Sequence, residues 1–376
     1  MAATEAWSRA RNVLAVRLDT LGDVLMTTPA LRALKDSLAG RRVTLLTSPA
    51  GAEAAALVPE VDEVLVYDAP WMKATAPRAN SAPEYAVAER LRSGRFDAAV
   101  IFTVYSQNPL PAAFLCFLAD IPLRLAHCHE IPYQLLTDWV PDPEPARLTR
   151  HEVRRQLDLV AAVGCRTDDQ RLSIRFSRRA RRRVLRLLGE IGMDPELPWV
   201  VVHPGASAAS RRYPAENFAE AARGLAAETG CQVVFTGSHH EQELVGHIRA
   251  LMAAPSFSLA GRLRLEELAA LLDLAPLLIA NNTGPVHVAA AVGTPVVDLY
   301  ALTNPQHTPW AVPSRVLFHD VPCKYCYKSV CPEGHHHCLR LVPPNAVVRA
   351  AGELLRETAL AGPSWPLLLT HSEASS

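Results

Sequence analysis

The chain has 376 residues, about twice the length of a typical ~150-residue domain, and 49% of them are hydrophobic, so two folded units with filled cores are expected. The formal net charge is zero, which argues against nucleic acid as the main partner, since proteins that track phosphate backbones are usually basic. Met1–Arg11 lacks the basic start and apolar core of a signal peptide, and no apolar run reaches the ~18 residues that span a bilayer. A soluble, cytoplasmic protein is therefore expected.

The first half alternates short apolar runs with amphipathic stretches. Strands are predicted at Asn12–Leu18, Arg42–Leu46, Glu63–Val66 and Ala98–Phe102. Helices are predicted at Val24–Ser37, Ala52–Leu57 and Glu84–Ser93. Such alternation implies a parallel sheet covered on both faces. Ala69–Ala82, polar and proline-containing, reads as a long loop. Pro141–Pro145 marks a break, followed by helices at His151–Val163 and Ser177–Leu188. The second of these carries Arg178, Arg179, Arg181, Arg182, Arg183 and Arg186. It is either a solvated face beside an interdomain linker or a surface attracted to anionic lipid headgroups.

The alternation then restarts. Strands are predicted at Trp199–His203, Gln232–Thr236, Leu277–Ala280 and Pro295–Leu299. Helices are predicted at Ala215–Glu228, Glu241–Met252, Leu265–Asp273 and Pro285–Val292. Two complete α/β units suggest two Rossmann-like domains facing each other across a cleft, with ligands at the carboxyl ends of the strands. The expected divisions are residues 1–175 and 176–345, a C-terminal helix at 346–361, and a disordered tail at 362–376.

Three segments carry candidate chemistry. The first is Arg17-Leu18-Asp19-Thr20-Leu21-Gly22-Asp23-Val24, between the first strand and the first helix. Asp23 there is either a helix cap or a carboxylate aimed at the ligand; capping does not explain the Met26-Thr27-Thr28-Pro29 that follows. The second is His203-Pro204-Gly205-Ala206-Ser207 with Arg211-Arg212-Tyr213-Pro214. Its glycine and serine make a phosphate-friendly loop, and Arg211 suits a bidentate diphosphate contact; the alternative is a plain polar loop. The third is Asn281-Asn282-Thr283-Gly284-Pro285-Val286-His287, where a strand ends and a proline-started helix offers free N–H groups to an anion. His287 is either a further anion contact or a structural histidine.

Together these segments resemble glycosyltransferase family 9, the ADP-heptose:lipopolysaccharide heptosyltransferases. RLDTLGDVLMTTPALRALK is similar to the family's opening signature. HPGASAASRRYPAENF is similar to its second, which usually ends in Lys-x-Trp-Pro. IANNTGPVHVAAAVGTPVV is similar to its third, usually Asp-Ser/Thr-Gly-Pro-x-His. The resemblance runs from about residue 12 to 340.

It implies a GT-B fold and an α/β enzyme with an N-terminal acceptor-binding and a C-terminal nucleotide-sugar-binding domain. Asp23 matches the family's catalytic base, and Arg17 a basic position near the acceptor's acidic groups. Ser207 and Arg211 match diphosphate contacts, and Glu241 the carboxylate that binds the ribose hydroxyls. Leu263 matches the backbone contact to adenine, and Thr283, Gly284 and His287 the phosphate clamp. Two departures stand out: Arg211 replaces the family lysine, and Asn282 replaces the usual aspartate beside the donor sugar. The implied substrates are ADP-heptose and a lipid-linked glycan acceptor, with peripheral contact at the cytoplasmic face of the inner membrane. The implied reaction inverts the anomeric carbon, with Asp23 as base and Arg211 stabilising the leaving diphosphate. The sequence lacks an Asp-x-Asp triplet for a divalent metal, so metal-independent transfer with no required cofactor is expected.

Of eight cysteines, Cys116, Cys128, Cys165 and Cys231 are scattered, as buried reduced thiols are. Cys323, Cys326, Cys331 and Cys338 surround His335, His336 and His337. They are either zinc ligands or a reduced thiol-rich loop; metal is no part of the family's chemistry. Two other functions remain open from sequence: a GT-B nucleotide-sugar epimerase, and a non-catalytic nucleotide-sugar-binding protein.

Overall fold

The computed structural model describes residues 2–73, 75–194 and 196–361. The chain folds as two compact units. One comprises residues up to Arg175 together with Pro305–Ala311; the other comprises Phe176–Asn304 and the residues from Val312 on. The tail expected at 362–376 lies outside the described residues.

The first unit contains α1 (Ala2–Arg9), β1 (Asn12–Arg17), α2 (Leu21–Asp36), β2 (Arg42–Thr47), α3 (Pro49–Ala55) and β3 (Glu63–Val66). It continues with α4 (Ala82–Ser93), β4 (Ala98–Ile101), α5 (Leu110–Leu118), β5 (Leu123–Cys128), β6 (Asp138–Pro141) and α6 (Glu152–Ala161). The strands form one parallel sheet in the order β3-β2-β1-β4-β5-β6. A parallel sheet with helices on its faces buries both sides, which is why β1 and β4 read as unbroken apolar runs.

Helix α2 contains Pro29, whose ring removes one backbone donor and would orphan the Leu25 carbonyl. Thr28 Oγ1 donates to that carbonyl at 2.7 Å, and Thr27 Oγ1 donates to the Asp23 carbonyl at 2.8 Å. Thr28 thus supplies the donor that Pro29 lacks, and the helix runs on through the proline. Pro305–Ala311 is stitched to the first unit. The Glu152 N–H donates to the Gln306 carbonyl at 3.0 Å. Gln306 Nε2 donates to Arg150 O at 3.1 Å and Trp310 Nε1 to Gln170 O at 2.7 Å, while the His151 and Trp310 rings lie 4.5 Å apart.

The second unit contains α7 (Arg178–Glu190), β7 (Trp199–His203), α8 (Ala215–Thr229), β8 (Gln232–Phe235), α9 (Gln242–Met252) and β9 (Phe257–Ser258). It continues with α10 (Leu265–Leu274), β10 (Leu278–Asn281), α11 (Gly284–Val292), β11 (Val296–Leu299), β12 (Ser314–Leu317), α12 (His337–Arg340) and α13 (Pro344–Ala361). Its strands are again all parallel, in the order β12-β11-β10-β7-β8-β9. Numbered from their own first strands, both sheets have the order 3-2-1-4-5-6 of the doubly wound fold. Each therefore reverses direction beside its first strand, opening a crevice after β1 and β4 in one unit and after β7 and β10 in the other. These are two Rossmann-like domains. On α7, Arg181 pairs with Asp273 at 2.5 Å and Arg183 approaches Glu267 at 3.5 Å, while Arg178, Arg179, Arg182 and Arg186 are exposed. No helix among the described residues is long and apolar enough to cross a membrane.

Candidate active site

In the first unit the chemistry centres on Arg17, the last residue of β1. Its side chain is fully buried, and one guanidinium meets three carboxylates. Nε lies 2.9 Å from Asp19, Nη2 3.2 Å from Asp23 and Nη1 2.7 Å from Glu152. The resemblance matches Arg17 to a basic position near the acceptor's acidic groups; in the structure the side chain is buried and its guanidinium contacts these three carboxylates. One cation among three anions leaves a local excess of negative charge, an arrangement that costs stability and marks functional sites.

The two flanking aspartates differ. Asp23 caps its own helix, accepting from the Thr20 N–H at 3.1 Å and from Thr20 Oγ1 at 2.8 Å. Burial pushes its pKa upward, but Arg17, His307 and the Thr20 bonds outweigh that and hold it below the usual carboxylate range. Asp19 is pushed up to about 6, first by burial and then by the negative Asp23, against the opposing pull of Arg17. Asp19 also accepts from Gln107 Nε2 at 2.5 Å. It lines a cavity of about 730 Å³ together with Thr20, Ser48, Trp71, Thr103 and Gln107. That volume is ample for a sugar and part of its neighbours.

In the second unit the candidate residues gather at the carboxyl ends of consecutive strands. After β7 come Gly205, Ser207 and Arg211; after β8, Glu241; after β9, Leu263; after β10, Asn282, Thr283, Gly284 and His287. Gly205 lies against the end of the Glu241 side chain, so any side chain there would push that carboxylate aside. Glu241 is held by the Ser238 N–H at 2.7 Å. Its other neighbour is His203, 3.9 Å away, whose pKa is lowered by burial despite the Glu241 charge. The Leu263 loop joins this group through the Gly261 N–H, which donates to Gly237 O at 2.9 Å.

Sequence reasoning includes Asn281 in a candidate segment without giving it a role, and it passes over Asp298. Asn281, fully buried, accepts from the Tyr213 N–H at 3.0 Å and donates to Pro204 O at 2.7 Å, stapling the loop after β7 to the end of β10. An amide closing an apolar strand is the signal that could have found it. Asn282 Nδ2 donates at 2.9 Å to Asp298, a fully buried carboxyl on β11 that burial pushes up to about 8 against the Asn282 bond. Thr283 caps α11 from an extended conformation, leaving the first N–H groups of the helix at the crevice, and His287 is buried one turn in.

The four clustered cysteines are free thiols of intermediate exposure. With His335 they line one small cavity of about 20 Å³, and Cys323 Sγ lies 3.8 Å from His335 Nε2. Among the described residues no three His, Cys, Asp or Glu side chains are placed to hold a metal ion.

Two Rossmann-like sheets, each with polar residues gathered at its switch point, are the architecture of a GT-B glycosyltransferase. The chain belongs to glycosyltransferase family 9 (heptosyltransferase), whose family model matches residues 85–337. It is a glycosyltransferase. It is 25% identical to lipopolysaccharide heptosyltransferase 2 of Salmonella typhimurium, over 92% of this chain and 99% of that protein. A family 9 glycosyl transferase from Veillonella parvula has the same fold, with a TM-score of 0.78 at 24% identity, covering 92% of this chain and 98% of the other. The ADP-heptose lps heptosyltransferase II of E. coli superposes with a TM-score of 0.70 at 23% identity, covering 92% and 99%.

Proposed function

We propose that this enzyme moves heptose from ADP-heptose to a lipopolysaccharide inner-core acceptor, inverting the anomeric carbon and using no metal ion. The observation that carries the reading is the gathering of Ser207, Arg211, Glu241, Leu263, Thr283, Gly284 and His287 along one edge of one sheet. The names of the Salmonella and E. coli relatives, a lipopolysaccharide enzyme and an ADP-heptose enzyme, support the acceptor and the donor. Glu241 takes the ribose hydroxyls, and the backbone at Leu263 borders adenine. Arg211, Ser207, His287 and the N–H groups of Thr283 and Gly284 hold the diphosphate, with Asn282 beside the donor sugar. Asp23 takes the acceptor hydroxyl's proton as that oxygen attacks opposite the diphosphate, and the same cations and dipoles stabilise the charge that grows on the leaving group. Arg17 acts through Asp23 by orienting it. A lipid-linked acceptor places the work at the cytoplasmic face of the inner membrane, where the exposed arginines of α7 suit anionic headgroups.

The direct test is transfer from ADP-heptose to a heptose-deficient inner core, followed by mass spectrometry. The anomeric configuration would be read by NMR and the rate compared with and without chelator. For the donor, ADP is expected to raise the melting temperature more than UDP. A ligand at about 100 times its Kd adds about 2.7 kcal/mol to the folded state. Equal stabilisation by UDP overturns the adenine assignment, and turnover of the donor without acceptor points to an epimerase.

The carboxylate pair also sets a pH dependence. Because burial and Asp23 raise Asp19, the pair binds a proton as pH falls through about 6. Asp23 stays ionised through this range, but losing the Asp19 charge beside it makes it a weaker base. The acceptor kcat/KM is expected to step down to a lower plateau as pH falls through about 6. A profile flat to about pH 4.5 excludes Asp19 from the proton transfer and leaves Asp23, held below the usual carboxylate range, as the base.

A further inference from the structure

The loop between β12 and α12, which carries the clustered cysteines, is not assigned a part in binding. It is docked onto the same sheet edge as the candidate donor residues. The Ser210 N–H donates to Ser329 O at 3.1 Å and Ser210 Oγ to Lys328 O at 2.8 Å. The Tyr325 N–H donates to Leu302 O at 2.6 Å and the Tyr327 N–H to Thr303 O at 2.9 Å. On its inner side, Cys323 and Cys338 pack against Tyr300, Leu302 and Val321. Tyr325 and Tyr327 both hold left-handed backbone, at φ 61° and 54°, a conformation that costs a non-glycine residue about 1 kcal/mol. Two such residues in three persist only where surrounding contacts over-determine the path.

The result of this path is a second cation beside Arg211. Arg211 and Lys328 line one cavity of about 90 Å³, whose remaining wall is Ala208, Thr303, Asn304, Tyr327 and Ser329. The wall holds two cations, three hydroxyls and an amide, and no carboxylate. The space suits one tetrahedral oxyanion and is too small for a sugar. A cavity lined by two cationic and three hydroxyl residues, with no carboxylate, has the chemistry that binds phosphoryl groups.

We propose that Lys328, presented by the cysteine loop, and Arg211 form a phosphoryl-binding site. The phosphoryl group comes either from the donor's diphosphate or from a phosphate on the acceptor. The first source rests on the reading of Arg211 as a diphosphate contact; the site itself does not. Lys328 is exposed, so replacing it leaves the fold intact.

The test compares wild type, Lys328→Met and Lys328→Arg in the full chain by calorimetric titration with ADP, adenosine and inorganic pyrophosphate. One charge-assisted contact predicts a loss of about tenfold or more in affinity for Lys328→Met, with partial recovery in Lys328→Arg. If ADP and pyrophosphate both weaken while adenosine does not, the group bound is the donor's diphosphate. If pyrophosphate weakens and ADP does not, it is the acceptor's phosphate, and the KM for a phosphorylated acceptor rises while that for its dephosphorylated form stays level. If wild type binds pyrophosphate through Lys328 but shows no affinity for ADP, the donor reading fails and the anion site stands. Affinities for ADP and pyrophosphate within twofold of wild type in Lys328→Met overturn the proposal.

Discussion

Asp23→Asn is expected to lower the transfer rate by ~10²–10⁴-fold, the range typical of a missing general base, while leaving ADP affinity unchanged. The residues proposed to bind the nucleotide lie in the other unit, so the two effects should separate. Folding should survive for two reasons. Asparagine still accepts the Thr20 N–H that Asp23 accepts at 3.1 Å, and the N-cap residue itself, Thr20, is unchanged. Because the fold holds the Asp23 carboxyl below the usual carboxylate range, its charge stabilises the folded state at neutral pH, and the neutral Asn variant should melt somewhat lower than wild type while remaining folded. A residue whose work is only to cap α2 would give a stable and active Asn variant. Steady-state rates within threefold of wild type would falsify the assignment of Asp23 as base.

Arg17→Ala should have the opposite signature, with damage to the fold as large as the damage to turnover. It strips the shared cation from Asp19, Asp23 and Glu152, all of which it touches within 3.2 Å. Breaking a buried charge cluster by removing one sign costs about 3–5 kcal/mol. In a unit of this size that is roughly a 10 °C fall in melting temperature. Part of the loss should return in Arg17→Ala combined with Asp19→Asn, because the two changes share one electrostatic partner. Thermal unfolding of the three proteins checks this. A single Arg17→Ala variant that melts with wild type would mean that the cluster is solvated and that Arg17 does not organise it.

Most of the architecture is visible in the amino-acid sequence, and the misses have physical causes. β1, β2, β3, β4, β7, β8, β10 and β11 announce themselves because apolar strands alternate with helices of clear periodicity. The stretch that forms α5 and β5, Leu110–Leu118 and Leu123–Cys128, is nearly all apolar, and such a run reads equally as strand or buried helix. β6 ends in Pro141, which in sequence reads as a break; as an edge strand it has no need of that N–H on its open side. β9 is two residues long and has no pattern to detect. At the candidate site, the residue types of both switch points are legible, but their partners are not. Glu152 lies 135 residues from Arg17, and nothing in the sequence near Arg17 signals that its charge is consumed internally. Asp298 likewise sits in an apolar run, where only the structure connects it to Asn282.

The return of Pro305–Ala311 to the first unit bears on how the gene can be divided. A product ending at Arg175 would contain all six strands of its sheet and yet lack the heptapeptide that binds Arg150, Glu152 and Gln170 and brings the His307 charge to bear on Asp23. A product beginning at Phe176 would carry that heptapeptide as a foreign insert between Asn304 and Val312. No single scission point therefore yields two autonomous halves. A workable split protein needs the heptapeptide rejoined by a tether to the N-terminal half, and its former ends in the other half sealed by a short bridge.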